Sequence, residues 1–338
     1  MNRGTSLGVV IPAHNEEGFV GRVIETLPSF VDRAYVVDDA STDGTWGEIQ
    51  RHAELVNGPP SPDAVANGGR QFDPYIVTIR HDENRGVGGA IKTGYRRARE
   101  DGIDVIAVMA GDGQMDPDYL DRIVDPVIQG RADYAKGSRL LRKEYREEMS
   151  RWRFFGNSVL TFLTKVSTGY WRLTDPQNGY TALSMSVFDS IDIDALYDDY
   201  GFANDLLAKL NVIEARIVDV PIPARYGDEQ SDIRYSRFVP RLSGLLLRNF
   251  LWRMKARYLV ADFHPLVFLY ALGVAGAMVG LGALGWALWA PDRTGVHGLL
   301  SVVVLLLGGL FVTLAMVFDR QANAGLESGV HPGVGERR

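Results

Sequence analysis

Val108-Met109-Ala110-Gly111-Asp112-Gly113-Gln114-Met115-Asp116-Pro117 is the stretch on which the reading of this chain turns. The apolar run from Val105 to Met109 stops at glycines, a carboxylate and an amide, and Asp116-Pro117 then offers a helix cap and first helical position. Strand, polar turn and helix in that order form the repeating unit of a parallel sheet. The unit recurs upstream. Strands are read at Leu7 to Ile11, Ala34 to Val37 and Tyr75 to Ile79, and helices at Glu16 to Leu27, Gly44 to Glu54, Gly89 to Glu100 and Pro117 to Ile128. This rhythm, sustained over residues 1 to about 225, predicts an α/β domain whose mostly parallel sheet is covered on both faces. Ligands are then expected beyond the carboxyl ends of its strands. The Pro-, Gly- and Asn-rich stretch from Asn57 to Asp73 reads as a surface loop.

The strand ends are where polar residues gather. Pro12-Ala13-His14-Asn15-Glu16-Glu17 follows the first strand and Asp38-Asp39-Ala40-Ser41-Thr42-Asp43-Gly44-Thr45 the second. A carboxylate placed there can accept hydrogen bonds from a nucleobase or ribose. Asp39 is the functional candidate, whereas Glu17 and Asp43 suit helix capping. Asn84-Arg85-Gly86-Val87-Gly88-Gly89-Ala90 is a glycine-rich turn that permits close backbone approach without completing a dinucleotide fingerprint. Asp112 and Gln114 stand two apart, so in an extended segment both would face one way and share a hard cation with a diphosphate.

Composition narrows the function. The chain has 338 residues, a net charge of −6 and no cysteine. An acidic average argues against general nucleic-acid binding, and the absence of thiols excludes disulfides, thiolate metal sites and cysteine nucleophiles. The six histidines show no metal-ligand spacing. The N-terminal apolar run, ended by Pro12, is too short for a secretory signal, so the first domain is expected to stay in the cytoplasm.

Leu266 to Ala290 and Gly298 to Phe318 carry no charge, and each is long enough to cross a bilayer. Two transmembrane helices are expected; the alternative is a pair of buried helices in a soluble core. Arg237, Arg241, Arg248, Arg253, Lys255 and Arg257 precede them without one acidic residue, with apolar side chains at helical spacing. That pattern predicts amphipathic helices on an anionic membrane surface. The loop between the spans, Pro291 to His297, holds only Arg293 as a basic residue, so both termini are expected to be cytoplasmic. Gly276 and Gly280 form a small-xxx-small pair, suited to packing helices within a subunit or between subunits of a homo-oligomer.

Taken together, these motifs resemble the family 2 glycosyltransferases of the GT-A fold, and among them the dolichol- and polyprenyl-phosphate sugar synthases. The resemblance covers residues 7 to about 235. It implies a Rossmann-like catalytic domain at 1–235, to which the charge and apolar patterns add amphipathic juxtamembrane helices at 236–262, two spans within 263–320 and a flexible tail at 321–338. It also implies that Pro12, His14, Glu16, Val37, Asp39 and Gly111 line a nucleotide sugar, while Asp112 and Gln114 hold Mg or Mn on its diphosphate. Lys136-Gly137-Ser138-Arg139 resembles the family's strand and acceptor loop, making Arg139 a phosphate contact. Asp175, in Asp175-Pro176-Gln177-Asn178-Gly179-Tyr180, is implied to orient that loop or face the phosphates, and Arg225 matches the arginine after the Val-Pro-Ile strand. Arg151 and Arg153, in a basic stretch that begins at Arg139, are candidates for receiving a lipid phosphate.

Two departures stand out. Ala110 occupies the position where the family's metal motif usually begins with an aspartate, and Asp232 stands near the place of a frequent lysine. The implied chemistry is single displacement with inversion, in which an already anionic phosphate attacks the sugar and needs little general-base help. The acceptor would be a polyprenyl or dolichyl phosphate at the cytoplasmic membrane face, and the donor of GDP-mannose or UDP-glucose type. Transfer to a glycan or lipid hydroxyl is a second reading, although the Gln-x-x-Arg-Trp of processive members is here Glu148-Met149-Ser150-Arg151-Trp152. A non-catalytic nucleotide-sugar binder is a third.

Overall fold

Seven strands, ordered β3-β2-β1-β4-β6-β5-β7, form one sheet in the computed structural model of the chain. The structure describes residues 4–58, 72–141, 151–223, 235–289 and 296–327. The strands are β1 (Leu7–Ala13), β2 (Arg33–Asp38), β3 (Ile76–Arg80), β4 (Val105–Val108), β5 (Tyr134–Ser138), β6 (Thr181–Ser184) and β7 (Ile217–Pro221). All neighbours run parallel except β6, which is antiparallel to both β4 and β5. Period-two alternation sorts the side chains onto two cores. Val9, Ile11 and Val36 pack on one face, and Val10, Tyr35 and Val37 on the other. Both faces are buried, as a parallel sheet with helical crossovers requires.

The covering helices are α1 (Val20–Glu25), α2 (Thr45–Asn57), α3 (Gly86–Glu100), α4 (Leu120–Ile128), α5 (Arg151–Thr168), α6 (Met185–Phe188) and α7 (Phe202–Val212). The first is shorter than the sequence predicts. Gly18 takes φ +88°, which breaks the helical path, and the Glu48 carboxylate accepts from Gly18 N at 2.6 Å and Gly21 N at 2.8 Å. Conversely, α3 starts three residues early. Its glycines allow contact with the chain itself, because a Cβ at Gly86 or Gly88 would meet the backbone oxygens of Asp198 and Tyr197 at 2.6 and 2.5 Å. Of the predicted surface loop between Asn57 and Asp73, residues 59–71 lie outside the described residues.

A long helix, α8 (Tyr235–Lys255), continues into a π-helical turn at Ala256–Ala261. Leu242, Leu245 and Leu246 are buried beside Leu160 of α5 and Tyr197, while Leu247, Leu251 and Trp252 stay exposed. The helix is amphipathic, but its apolar stripe faces the α/β domain. Two of its cations also differ from expectation. Arg253 and Arg257 are buried in protein contacts, so these two cations are not part of an exposed basic surface.

The C-terminal hairpin is α9 (Leu266–Trp289) and α10 (Val296–Ala322). Only 22% and 17% of their most apolar windows are buried. Helices of a soluble core would be largely covered, so this apolar, exposed pair marks the chain as membrane-associated. The glycine stripe is used within the hairpin. A Cβ at Gly276 would lie 3.2 Å from Gly308 Cα, and one at Gly280 would lie 2.7 Å from Leu305 N. The small-residue face is therefore occupied by the chain's own second helix, the within-subunit packing that such a pair allows.

Asp319, near the end of α10, is fully buried against Arg253 in a two-point ion pair of 2.8 and 2.9 Å. Tyr258 Oη, Asn323 Nδ2 and Trp171 Nε1 also donate to this carboxylate. Removing one partner of such a pair typically costs about 3–5 kcal/mol, because the other charge is left buried alone. The hairpin is thus latched to the α/β domain. The tail expected from 321 is ordered at its start, where Ala324–Leu326 forms a 3-10 turn and Glu327 bridges to Ile217 of β7; residues 328–338 lie outside the described residues.

Candidate active site

Because β6 runs antiparallel, its beginning lies at the same sheet edge as the ends of β4, β5 and β7. A cavity of about 210 Å³ opens there, lined in part by Asp112, Gln114, Arg139, Gln177, Asn178 and Tyr180. Asp112 and Gln114 do share it. The reason differs from the predicted alternation, since β4 stops at Val108 and a turn with Gly113 at φ +72° follows. Asp112 Oδ1 accepts from Gln114 N at 2.9 Å, which fixes the turn. Asp116 caps the next segment by accepting from Asp118 N at 3.1 Å, with Pro117 at the first position, as its sequence indicates.

The rim formed by β1, β2 and β3 is tied by short-range bonds. His14 Nδ1 stands 2.8 Å from Asp39 O, and Asn84 Nδ2 stands 3.1 Å from His14 Nε2. Asp39 is buried. Its Oδ1 takes His81 Nδ1 at 2.7 Å and Arg85 N at 2.9 Å, while His81 Nε2 reaches Thr93 Oγ1 at 2.9 Å. Gly111 N donates to Pro12 O at 3.0 Å, so the ends of β1 and β4 meet. A Cβ at Gly111 would press on that oxygen at 3.1 Å. Glu16 N donates to Thr45 Oγ1 at 2.7 Å, and Glu17 and Asp43 bind Gly44 N and Thr45 N as the capping reading implies. Val37 is fully buried in the core and supports the rim from beneath.

The opposite rim carries the charge. Asp175 accepts from Arg139 at N, Nε and Nη2, at 3.1, 2.7 and 2.9 Å. Burial alone would raise the Asp175 carboxyl, but the hydrogen bonds and charge of Arg139, with Lys136 beside it, hold it below the usual carboxylate range. Lys136, fully buried, donates to Thr174 O and Asp175 O at 2.6 and 2.8 Å and lies 3.2 Å from Asp219. Thr174 donates twice to Asp219, whose carboxyl is pushed up by burial. Asp175 sits at φ +48°, as Asn15 and Ala40 sit at +57° and +56° on the other rim. Left-handed backbone at a residue other than glycine costs about 1–3 kcal/mol and collects at functional sites.

Arg225 lies outside the described residues. Arg151 and Arg153 fall in the first turns of α5. His81, Thr174 and Asp219 were missed from sequence, since each reaches the site through a partner remote in the chain, and Lys136 was read only as part of the strand before Arg139. Gln177, quoted only as part of a segment, lines the cavity, and its buried Nε2 has no hydrogen-bond partner among the described residues. An amide donor left in this way suits a ligand oxygen.

The model of "Glycosyl transferase family 2" matches residues 8–192. The chain is 30% identical over 221 residues to a UDP-N-acetylglucosamine–dolichyl-phosphate N-acetylglucosaminyltransferase of Methanococcus voltae, covering 65% of this chain and 86% of that one. It is also 30% identical to an undecaprenyl-phosphate mannosyltransferase of Micrococcus luteus, over 63% of this chain and 81% of the relative. Among solved structures, glucosyl-3-phosphoglycerate synthase from Mycobacterium tuberculosis, in complex with Mn2+, UDP and phosphoglyceric acid, matches with a TM-score of 0.50. Identity there is 19%, over 74% of this chain and 79% of the other, a likeness of fold.

Proposed function

The chain belongs to glycosyl transferase family 2, and on that footing we propose that it transfers a sugar from a nucleotide-sugar donor to a polyprenyl phosphate held in the membrane. The observation that carries this reading is the convergence of Asp112, Gln114 and Arg139 on one cavity, in a chain anchored by an exposed apolar hairpin. The lipid-phosphate acceptors named for the relatives support it.

The nucleoside lies along the first rim, against Pro12, His14, Glu16, Asp39 and Gly111 with Val37 beneath, and Arg225 and Arg139 neutralise phosphate charge. Asp112 and Gln114 offer the oxygen donors that Mg or Mn takes, and such an ion would offset charge on the departing diphosphate. Among the described residues no three His, Asp or Glu side chains converge, so with Ala110 in the motif most ligands would come from diphosphate and water. Arg139, oriented by Asp175, draws the acceptor phosphate to the sugar with Arg151 and Arg153. The phosphate oxygen is already charged, so the chain's task is orientation and leaving-group charge, and the sugar inverts. The hairpin crosses the membrane twice, with the catalytic domain and both termini in the cytoplasm.

Membranes holding the full chain, incubated with labelled GDP-mannose, UDP-glucose or UDP-N-acetylglucosamine and polyprenyl phosphate, should yield labelled lipid with one donor, and chelation of divalent ions should stop it. Label appearing only on glycan or on a lipid hydroxyl would reject the phosphate acceptor.

A further inference from the structure

Residues 171–175 belong to no helix or strand, yet they carry Asp175, the carboxylate bound to Arg139 at three nitrogens. Backbone without secondary structure must find its hydrogen bonds elsewhere. Trp171 donates its indole N–H to Asp319 at 3.2 Å. Arg172 N and Leu173 N donate to Glu327 Oε1 at 2.6 and 3.2 Å. Thr174 N and Oγ1 donate to Asp219 Oδ2. Two of these three carboxylates come from the end of the apolar hairpin and the turn after it, beyond the family match at 8–192. Glu327 is itself fixed: it is buried, it bridges to Ile217 at the start of the outermost strand, and the turn before it begins at Asn323, bonded to Asn211 and Tyr258.

We propose that Glu327 is a positioning residue for transfer: by gripping Arg172 and Leu173 it sets Thr174 and Asp175, and through Asp175 the Arg139 guanidinium at the cavity wall. The membrane hairpin is on this reading part of the active site's scaffold as well as an anchor. A cap that merely satisfied two amides would need no such reach, whereas here the gripped pair leads directly into the left-handed Asp175. The consequence for kinetics rests on Arg139 receiving the acceptor phosphate, as proposed above.

The test uses the full chain in lipid nanodiscs, with Glu327→Ala, Glu327→Asp and Glu327→Gln. Aspartate keeps the charge but falls short of both amides, and glutamine keeps the accepting oxygen at full length. Amide hydrogen exchange should rise in Glu327→Ala and Glu327→Asp over 171–175 and also over 138–141, where Arg139 N donates to Asp175. Glutamine should restore protection. The KM for polyprenyl phosphate should rise about tenfold in the alanine variant, a loss of about 1.4 kcal/mol, with donor KM within about twofold and glutamine near wild type. Should alanine unfold the chain, the aspartate variant carries the same comparison. Exchange that rises only at 172–173, with acceptor KM unchanged, overturns the proposal. If the wild type labels no polyprenyl phosphate, the functional reading fails, and exchange at 138–141 alone decides whether Glu327 positions Arg139.

Discussion

The two rims of the cavity are built from different distances along the chain. On the β1-β2-β3 side, His14, Asp39, His81 and Arg85 bind one another across fewer than a hundred residues, at the ends of adjacent parallel strands. On the β5-β6-β7 side, Arg139 is held by Asp175, the loop carrying Asp175 by Lys136 and Asp219, and that loop's beginning by Asp319 and Glu327, 148 to 155 residues away. The first rim is a local consequence of strand order. The second draws its first contacts from the end of the docked hairpin. A catalytic domain cut away at about residue 235 should therefore keep its nucleotide side and lose definition on the other.

The largest effect is expected where the rims meet. Asp112 follows β4, the strand that joins the two halves of the sheet, and it lines the cavity. Asp112→Ala should lower transfer about a thousandfold, the scale on which one preorganised charge contact to a transition state acts, while thermal melting stays close to wild type. Equal loss of donor and acceptor affinity would fit its place between the halves. Turnover within about tenfold of wild type would remove Asp112 from the metal and diphosphate site.

A paired comparison sharpens the contrast. Arg139→Lys keeps a charge but cannot reproduce the fork that binds Asp175 at two nitrogens, so kcat/KM for the lipid phosphate should fall about a hundredfold. Asp39→Asn keeps shape but weakens the bonds from His81 and Arg85 N, and donor KM should rise about tenfold with acceptor KM unchanged. Steady-state kinetics with each substrate varied separately read both. If each variant moved both KM values alike, the rims would be one unit and the comparison would break.

The contrast also explains what the sequence disclosed. Apolar runs ending near Asp39 and Asp112 revealed the strands and the first rim, since strand end and candidate residue are neighbours in the chain. The hairpin was equally legible from its length without charge. Arg253 and Arg257 misled, because a row of cations before an apolar helix looks alike whether it meets lipid or protein groups, here Asp319 for Arg253 and Asn211 for Arg257. The start of α1 misled because Gly18 and Glu48 decide it together. Glu327 was invisible: one carboxylate in a short polar tail gains meaning only when two distant amides are placed against it.

The smallest effect expected is an absence, and it bears on which partner sets the pH dependence. Arg139 holds the Asp175 carboxyl below its usual range despite burial. A lowered folded value means that the pair's contribution is present above the unfolded aspartate value of about 3.9 and is lost only as pH falls through the lower folded one. Glu327, raised by burial even though Arg172 and Leu173 donate to it, works with the opposite sign: its contribution is full at low pH and declines as pH rises through its folded value. Asp175, the carboxylate that holds Arg139, then keeps its grip on acidification from pH 8 to about 5. The lipid phosphate, whose second ionisation lies near about 6, should set the acidic limb of kcat/KM. Asp175→Asn should lower that profile without moving its limb, whereas a limb displaced by the substitution would assign the titration to the protein.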